Sequence, residues 1–106
     1  MKRGTFYLGL PRYFSKRKKA AIKLAMGRLY GGVTWQAAEG GWMNPETGRW
    51  IDEPAVVVTV LTDRTATDLE TTAEYLRGIL GQSEVYLTVD FTSLHVARAK
   101  VVKHGL

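Results

Sequence analysis

An α+β domain with one antiparallel sheet covered on one face by two helices is the architecture this chain predicts. Three observations predict it. Two segments, near the start and near the end, alternate apolar and polar residues at period two, two more read as strands joined by a turn, and two longer segments repeat at helical period, so that the kinds follow one another as β-α-β-β-α-β. At 106 residues there is room for one hydrophobic core and not for two, so residues 1–106 are read as a single domain.

Thr5 to Leu10 sets Phe6, Leu8 and Leu10 against Tyr7 and Gly9, a first strand that Pro11 ends. Ser15 suits an N-cap, and the helix expected from there to Tyr30 closes at Gly31-Gly32. Ala21, Ile22, Ala25, Met26 and Leu29 form its apolar stripe. Lys16, Lys19 and Lys23 line the other side.

Val33 to Met43 reads as a second strand, in which Gly40-Gly41 suggests a bulge. Asn44 to Gly48 is a turn, since Pro45 presets φ and Gly48 supplies a positive one. Trp42 and Trp50 flank it and are expected to pair across the hairpin. Arg49 to Thr62 is the returning strand, with Pro54 marking a bulge or an edge and AVVVTVL apolar enough for a central position.

Thr67 to Glu70 fits a capping box, and Leu69, Ala73, Leu76 and Leu80 repeat at helical spacing up to Gly81. Glu84 to Phe91 then alternates, with Val85, Leu87, Val89 and Phe91 on one face. Leu94 and Val96 suggest a short extension strand, and a basic tail from about residue 98 to 106 is expected to fray.

The element order is that of a ferredoxin-like fold, which leaves one sheet face uncovered by helices. Tyr7, Trp35, Tyr86 and Trp42 are candidates for that face, with Trp50 joining them through the hairpin. An open aromatic sheet in so small a chain suggests homo-oligomerisation through it, and the alternative is scattered, half-exposed aromatics that need no partner.

The stretch from Gly31 to Val89 resembles a poorly characterised family of small ferredoxin-like bacterial proteins, a domain of unknown function. The residues that carry the likeness are Gly32-Val33-Thr34, Gly40 with Trp42, Glu53 before the central strand and Gln82 before the last. It implies the fold and no activity. Many relatives are exported lipoproteins with a lipidated Cys, which this chain lacks. A second likeness, through the long β2-β3 hairpin followed by helix and strand, is to PII-like signalling proteins. That resemblance implies trimers that bind nucleotides in clefts between subunits. The glycine-and-lysine-rich phosphate loop it also implies is replaced here by ILGQSE.

Charge is divided unevenly along the chain. Nine lysines and arginines precede Leu29 without one carboxylate, all ten carboxylates fall between Leu29 and Ala97, and Arg98, Lys100 and Lys103 close the sequence. Such asymmetry points to an anionic partner. Lys16, Arg17, Lys18 and Lys19 occupy the first turn of a helix, where each cation opposes the macrodipole by roughly 0.3–1 kcal/mol. With Arg12, Tyr13 and Lys23 they form a candidate site for nucleic acid or another polyanion. The bland alternative is a solvated basic face that docks on the acidic body of the same protein.

Other chemistries find little support. There is no Cys, hence no disulfide or thiolate site, and the His and Asp content suggests no metal. His95 with Asp90 lacks a neighbouring nucleophile. Glu39, Glu53 and Asp90 could approach one another on a sheet, although carboxylates on outer strand positions are usually just solvated. No cofactor is called for. The apolar segment TFYLGL after Met-Lys-Arg is shorter than a secretory core of about 7–15 residues, and Ala55 to Leu61 is too short to span a bilayer. A cytoplasmic location without integral membrane association is therefore expected.

These features together predict a non-enzymatic binding or adaptor protein, of a kind that suits a phage or mobile element. The alternative is a homo-oligomeric interaction or small-ligand-sensing module of PII-like type. If nucleic acid is the partner, roughly three to six phosphate contacts give log K a slope of about −3 to −5 against log salt. Anisotropy titration at two salt concentrations checks this, with charge reversal at Lys16 and Lys19 expected to abolish binding.

Overall fold

The computed structural model describes residues 1–91. The predicted extension strand at Leu94 and Val96, His95, His104 and the basic tail lie outside the described residues. The elements are β1 (Lys2–Gly9), α1 (Lys16–Tyr30), β2 (Thr34–Met43), β3 (Trp50–Thr62), α2 (Ala66–Leu80) and β4 (Tyr86–Phe91). The sheet is antiparallel in the order β2-β3-β1-β4, so the fold is the ferredoxin-like β-α-β-β-α-β arrangement.

Both helices begin as their sequences dictate. The Ser15 hydroxyl accepts from the Lys18 amide, and α1 ends at Gly31, whose φ of 84° suits glycine. In α2 the capping box is Thr65 with Asp68, each side chain accepting the other's backbone N–H. This corrects the box expected at Thr67 to Glu70. The chain leaves β3 only at Thr62, and the Thr65 position is the last extended one before the helix turns.

The core lies between the helices and one side of the sheet. Phe6 and Leu8 of β1, Val56, Val58 and Val60 of β3, Ile22 and Met26 of α1, and Leu69, Leu76 and Leu80 of α2 are buried together. The α1 stripe is narrower than predicted. Ala21 and Leu29 are exposed, while Tyr30 packs inward and its hydroxyl lies 2.5 Å from that of Thr72. Since the Thr72 hydroxyl already donates to the Asp68 carbonyl, Tyr30 is the donor. Gly4 lets Leu69 approach the sheet, because an added Cβ would lie 2.9 Å from its Cδ2. Phe91, predicted to share the buried face of β4, is exposed at the strand's end.

The bulge predicted at Gly40-Gly41 is absent, and of the two readings of Pro54 the structure has the edge position, just past the end of β1, rather than the bulge. Pairing of β2 with β3 runs without interruption from Thr34 opposite Thr59 to Met43 opposite Trp50, through Gly40, Gly41 and Pro54. The Pro54 carbonyl accepts from Leu10, so its missing N–H faces the end of β1 and removes nothing from the β2 ladder. Because β1 stops at Gly9 opposite Ala55, the rest of the hairpin beyond that pair is a two-stranded arm. Asn44 to Gly48 closes the arm as expected, with Gly48 at φ 69°.

Leu69→Ala is expected to destabilise the protein by about 2–5 kcal/mol in urea unfolding, by removing buried methyls and leaving a cavity. Thr65→Ala should cost about 1 kcal/mol, whereas Thr67→Ala should leave the cap intact.

Candidate functional site

The alternation of β1 sends Phe6 and Leu8 into the core, so Arg3, Thr5, Tyr7 and Gly9 face the open side of the sheet. The register then places every other side chain. One row across the open face is Thr34, Thr59, Thr5 and Thr88, and the next is Gln36, Val57, Tyr7 and Tyr86. Ala38, Ala55 and Gly9 follow, then Gly40 with Glu53, then Trp42 with Ile51. At the other end Arg3 pairs with Asp90 at 3.4 Å. Apart from that pair, Glu53 is the one charged residue on these rows.

Tyr7, Tyr86 and Trp42 therefore belong to the open face as predicted, and Trp35 and Trp50 do not. Trp35 is opposite Val58 on the helix side, stacked on Phe14 at 6.4 Å between ring centroids. Lys19 and Lys23 hold their ammonium groups 5.7 and 5.3 Å from its ring. Trp50 is opposite Met43, also on the helix side, where it lies against Gly41 and donates from Nε1 to Asp52 at 2.7 Å. It cannot pair with Trp42, which is opposite Ile51 on the other face. The register joins residues an odd number of positions apart, and the two tryptophans are separated by an even number.

Where β1 ends, the open face dips into a trough of about 740 Å³ between the arm and the α2–β4 loop. That volume suits a small-molecule ligand. Its floor is nearly free of side chains: Gly9, Ala38, Gly40 and Ala55. Tyr7, Tyr86 and Trp42 supply aromatic walls. Glu53 and Gln82 reach the same point from opposite sides, since a Cβ on Gly9 would run into the Glu53 carboxylate and lie 3.1 Å from the Gln82 side-chain oxygen. Gln82 is fixed by α2: its amide donates to the Arg77 carbonyl, and its own carbonyl accepts from the Arg77 guanidinium at 3.2 Å. Glu74 in turn holds that guanidinium, and this hydrogen bond lowers the Glu74 pKa and raises that of Arg77.

The trough is acidic. Glu53 and Glu84 bring carboxylates to it, and no lysine, arginine or histidine lines it among the described residues. The Tyr86 hydroxyl donates to Glu84 at 2.9 Å, and this hydrogen bond to a carboxylate raises the phenol's pKa. Glu39, Glu53 and Asp90 do not form the cluster that a shared sheet allowed. Asp90 sits beside Arg3 at the far end, and Glu39 is opposite Pro54 on the helix side. No group of three or more metal-ligating side chains occurs among the described residues.

The cations of α1 belong to the helix side of the sheet, and none of them lines the trough. Lys18 donates to the Ile79 carbonyl at 3.4 Å, at the negative end of the α2 dipole, which offsets the cost of a cation in the first turn of α1. Lys19 and Lys23 are held at Trp35, and Arg12 lies 5.7 Å from the Tyr13 ring. Lys16 and Arg17 are exposed. Among the described residues none of these six cations is ion-paired with a carboxylate.

Solved structures share this fold. A phage SAM lyase in complex with S-methyl-5'-thioadenosine superposes with a TM-score of 0.66 at 15% identity, covering 84% of this chain and 79% of that one. A B. subtilis GlnK–ATP complex gives a TM-score of 0.59 at 10% identity, over 83% and 80% of the two chains. Pyrococcus horikoshii CutA gives 0.57 at 15% identity, over 94% and 93%. No family model and no curated protein matches the chain. The likeness to GlnK and CutA bears out the ferredoxin-like fold. The expectation of a non-enzymatic protein is corrected, because an enzyme is among the proteins that share this fold. No helix among the described residues is long and apolar enough to cross a membrane.

Glu84→Gln should bring the Tyr86 phenol back toward ordinary tyrosine behaviour. Ultraviolet titration, with Tyr86→Phe to assign the signal, is expected to show ionisation at lower pH in the Glu84 variant than in the parent.

Proposed function

We propose that the trough binds an adenosine-bearing small molecule that is neutral or cationic beside the nucleoside. The observation that carries this reading is the meeting of Glu53 and Gln82 at Gly9, on a bare floor walled by Tyr7, Tyr86 and Trp42. Bare backbone admits a flat ring, tyrosine and tryptophan faces stack on it, and the Gln82 amide can satisfy a polar edge. Two proteins of the same fold carry adenosine compounds, S-methyl-5'-thioadenosine in one and ATP in the other.

Electrostatics favours the first kind of ligand. A phosphate about 4 Å from a carboxylate is opposed by roughly 4 kcal/mol at an effective dielectric of about 20, and the described lining offers no cation to compensate. A sulfonium or ammonium instead gains from Glu53 and from the aromatic faces. The sheet beside the trough has few charges, and this supports self-association through Tyr7, Val57 and Thr59. The hairpin aromatic Trp42 stands at the trough's edge rather than within that contact.

Calorimetric titration with S-methyl-5'-thioadenosine, SAM and ATP tests the reading. The first two are expected to bind and ATP to bind at least about tenfold more weakly, a difference of about 1.4 kcal/mol. Glu53→Gln should weaken SAM more than S-methyl-5'-thioadenosine. Tighter binding of ATP, or no nucleoside bound at millimolar concentration, overturns it. Chromatographic analysis of the SAM mixture shows whether turnover accompanies binding.

A further inference from the structure

Among the described residues the hairpin beyond Gly9 has no third strand, and an isolated two-stranded hairpin is at best marginally stable in water. It is nevertheless rich in large apolar side chains on both faces. Trp42 and Ile51 stand on the open side, Met43 and Trp50 on the helix side, and Met43 and Trp50 are 56% and 58% exposed. The open-side pair borders the trough. On the helix side Trp50 lies against Gly41 and donates to Asp52. From Glu39 to Pro54 the arm also carries four carboxylates, Glu39, Glu46, Asp52 and Glu53, against the single Arg49.

α1 presents the complementary surface. Arg17, Ala21, Leu24 and Arg28 fall on one stripe at helical spacing, and all four are exposed. Lys16, Ala20, Lys23 and Gly27 form the stripe beside it. The small residues leave a shallow channel, with Leu24 56% exposed between cations. A solvated basic face does not need a leucine there, and a nucleic-acid backbone would not bury one.

We propose that the Met43–Trp50 face of the arm docks on the Arg17–Leu24–Arg28 stripe of α1 in a second copy of this chain. Trp50 and Met43 enter the channel over Ala21 and Leu24, while Asp52 and Glu46 face Arg17 and Arg28. Charge complementarity commits the occupant to another copy, because the same chain carries both halves: an acidic apolar arm and a basic helix with no carboxylate partner among the described residues. Arm and helix are different surfaces, so the contact is head-to-tail and closes into a ring or extends as a filament. It does not depend on the ligand proposed for the trough, since neither Trp50 nor any α1 residue lines it.

Charge-swap sedimentation tests it on the full chain. Arg17→Glu with Arg28→Glu reverses the helix, and Glu46→Lys with Asp52→Lys reverses the arm. All four sites are exposed, and circular dichroism confirms that each variant folds. At low salt each variant alone should associate about tenfold more weakly than the parent, and an equimolar mixture of the two should recover assembly. Unchanged mass in either variant, or no recovery on mixing, overturns the proposal. So does a labelled single-stranded DNA that binds the parent and is lost on helix reversal while the mass stays the same, which assigns α1 to nucleic acid. Nucleoside titration of both variants should match the parent.

Discussion

β1 lies at the centre of the sheet, between β3 and β4, supplies Phe6 and Leu8 to the core, and ends early. Leu10, the next residue in phase, is already leaving the strand, and Pro11 lacks the N–H that further pairing needs. β3 has thirteen residues against eight in β1, so among the described residues its first part finds a neighbour only in β2. The projecting arm follows from that mismatch. So does the trough, because Gly9 and Ala55 mark the place where the floor loses its third strand.

Two opposite faces result, with different chemistry. The open side has few charges outside the Arg3–Asp90 pair, and its carboxylates gather at the trough. The helix side holds the cations of α1 in a framework of ordinary interactions. Lys18 reaches the C-terminal carbonyls of α2, and Lys19 and Lys23 lie over Trp35. At the other end of the pair, Arg64 donates to the Leu29 carbonyl at 2.9 Å and lies over Tyr30. Each helix thus receives a cation at its C-terminal carbonyls from outside itself. Part of the charge that the sequence suggests is reserved for a partner is tied to the fold.

The trough is partly legible in the sequence. Glu53 and Gln82 stand out there as motif residues, and Tyr7, Trp42 and Tyr86 as open-face aromatics. Their convergence is not legible, since Glu53 belongs to β3 and Gln82 to the loop after α2. The contact they share is Gly9, whose lack of a side chain reads as ordinary strand punctuation. Trp35 and Trp50 fall on the helix side, against expectation, for a related reason. In β2 the odd positions carry Trp35, Ala37 and Glu39 and the even ones Thr34, Gln36 and Ala38, so neither set is apolar enough to declare its face.

Local sequence is enough for the order and type of the elements, the Ser15 cap, the glycine that ends each helix and the turn at Asn44 to Gly48. Each of these is settled by residues within a few positions of one another. Only the folded chain sets which face each β2 residue occupies, where β1 ends against β3, and which side chains converge at Gly9. Those are relations between strands far apart in the chain. A pleat of period two means that a one-residue change in register would exchange the faces of every side chain along a strand.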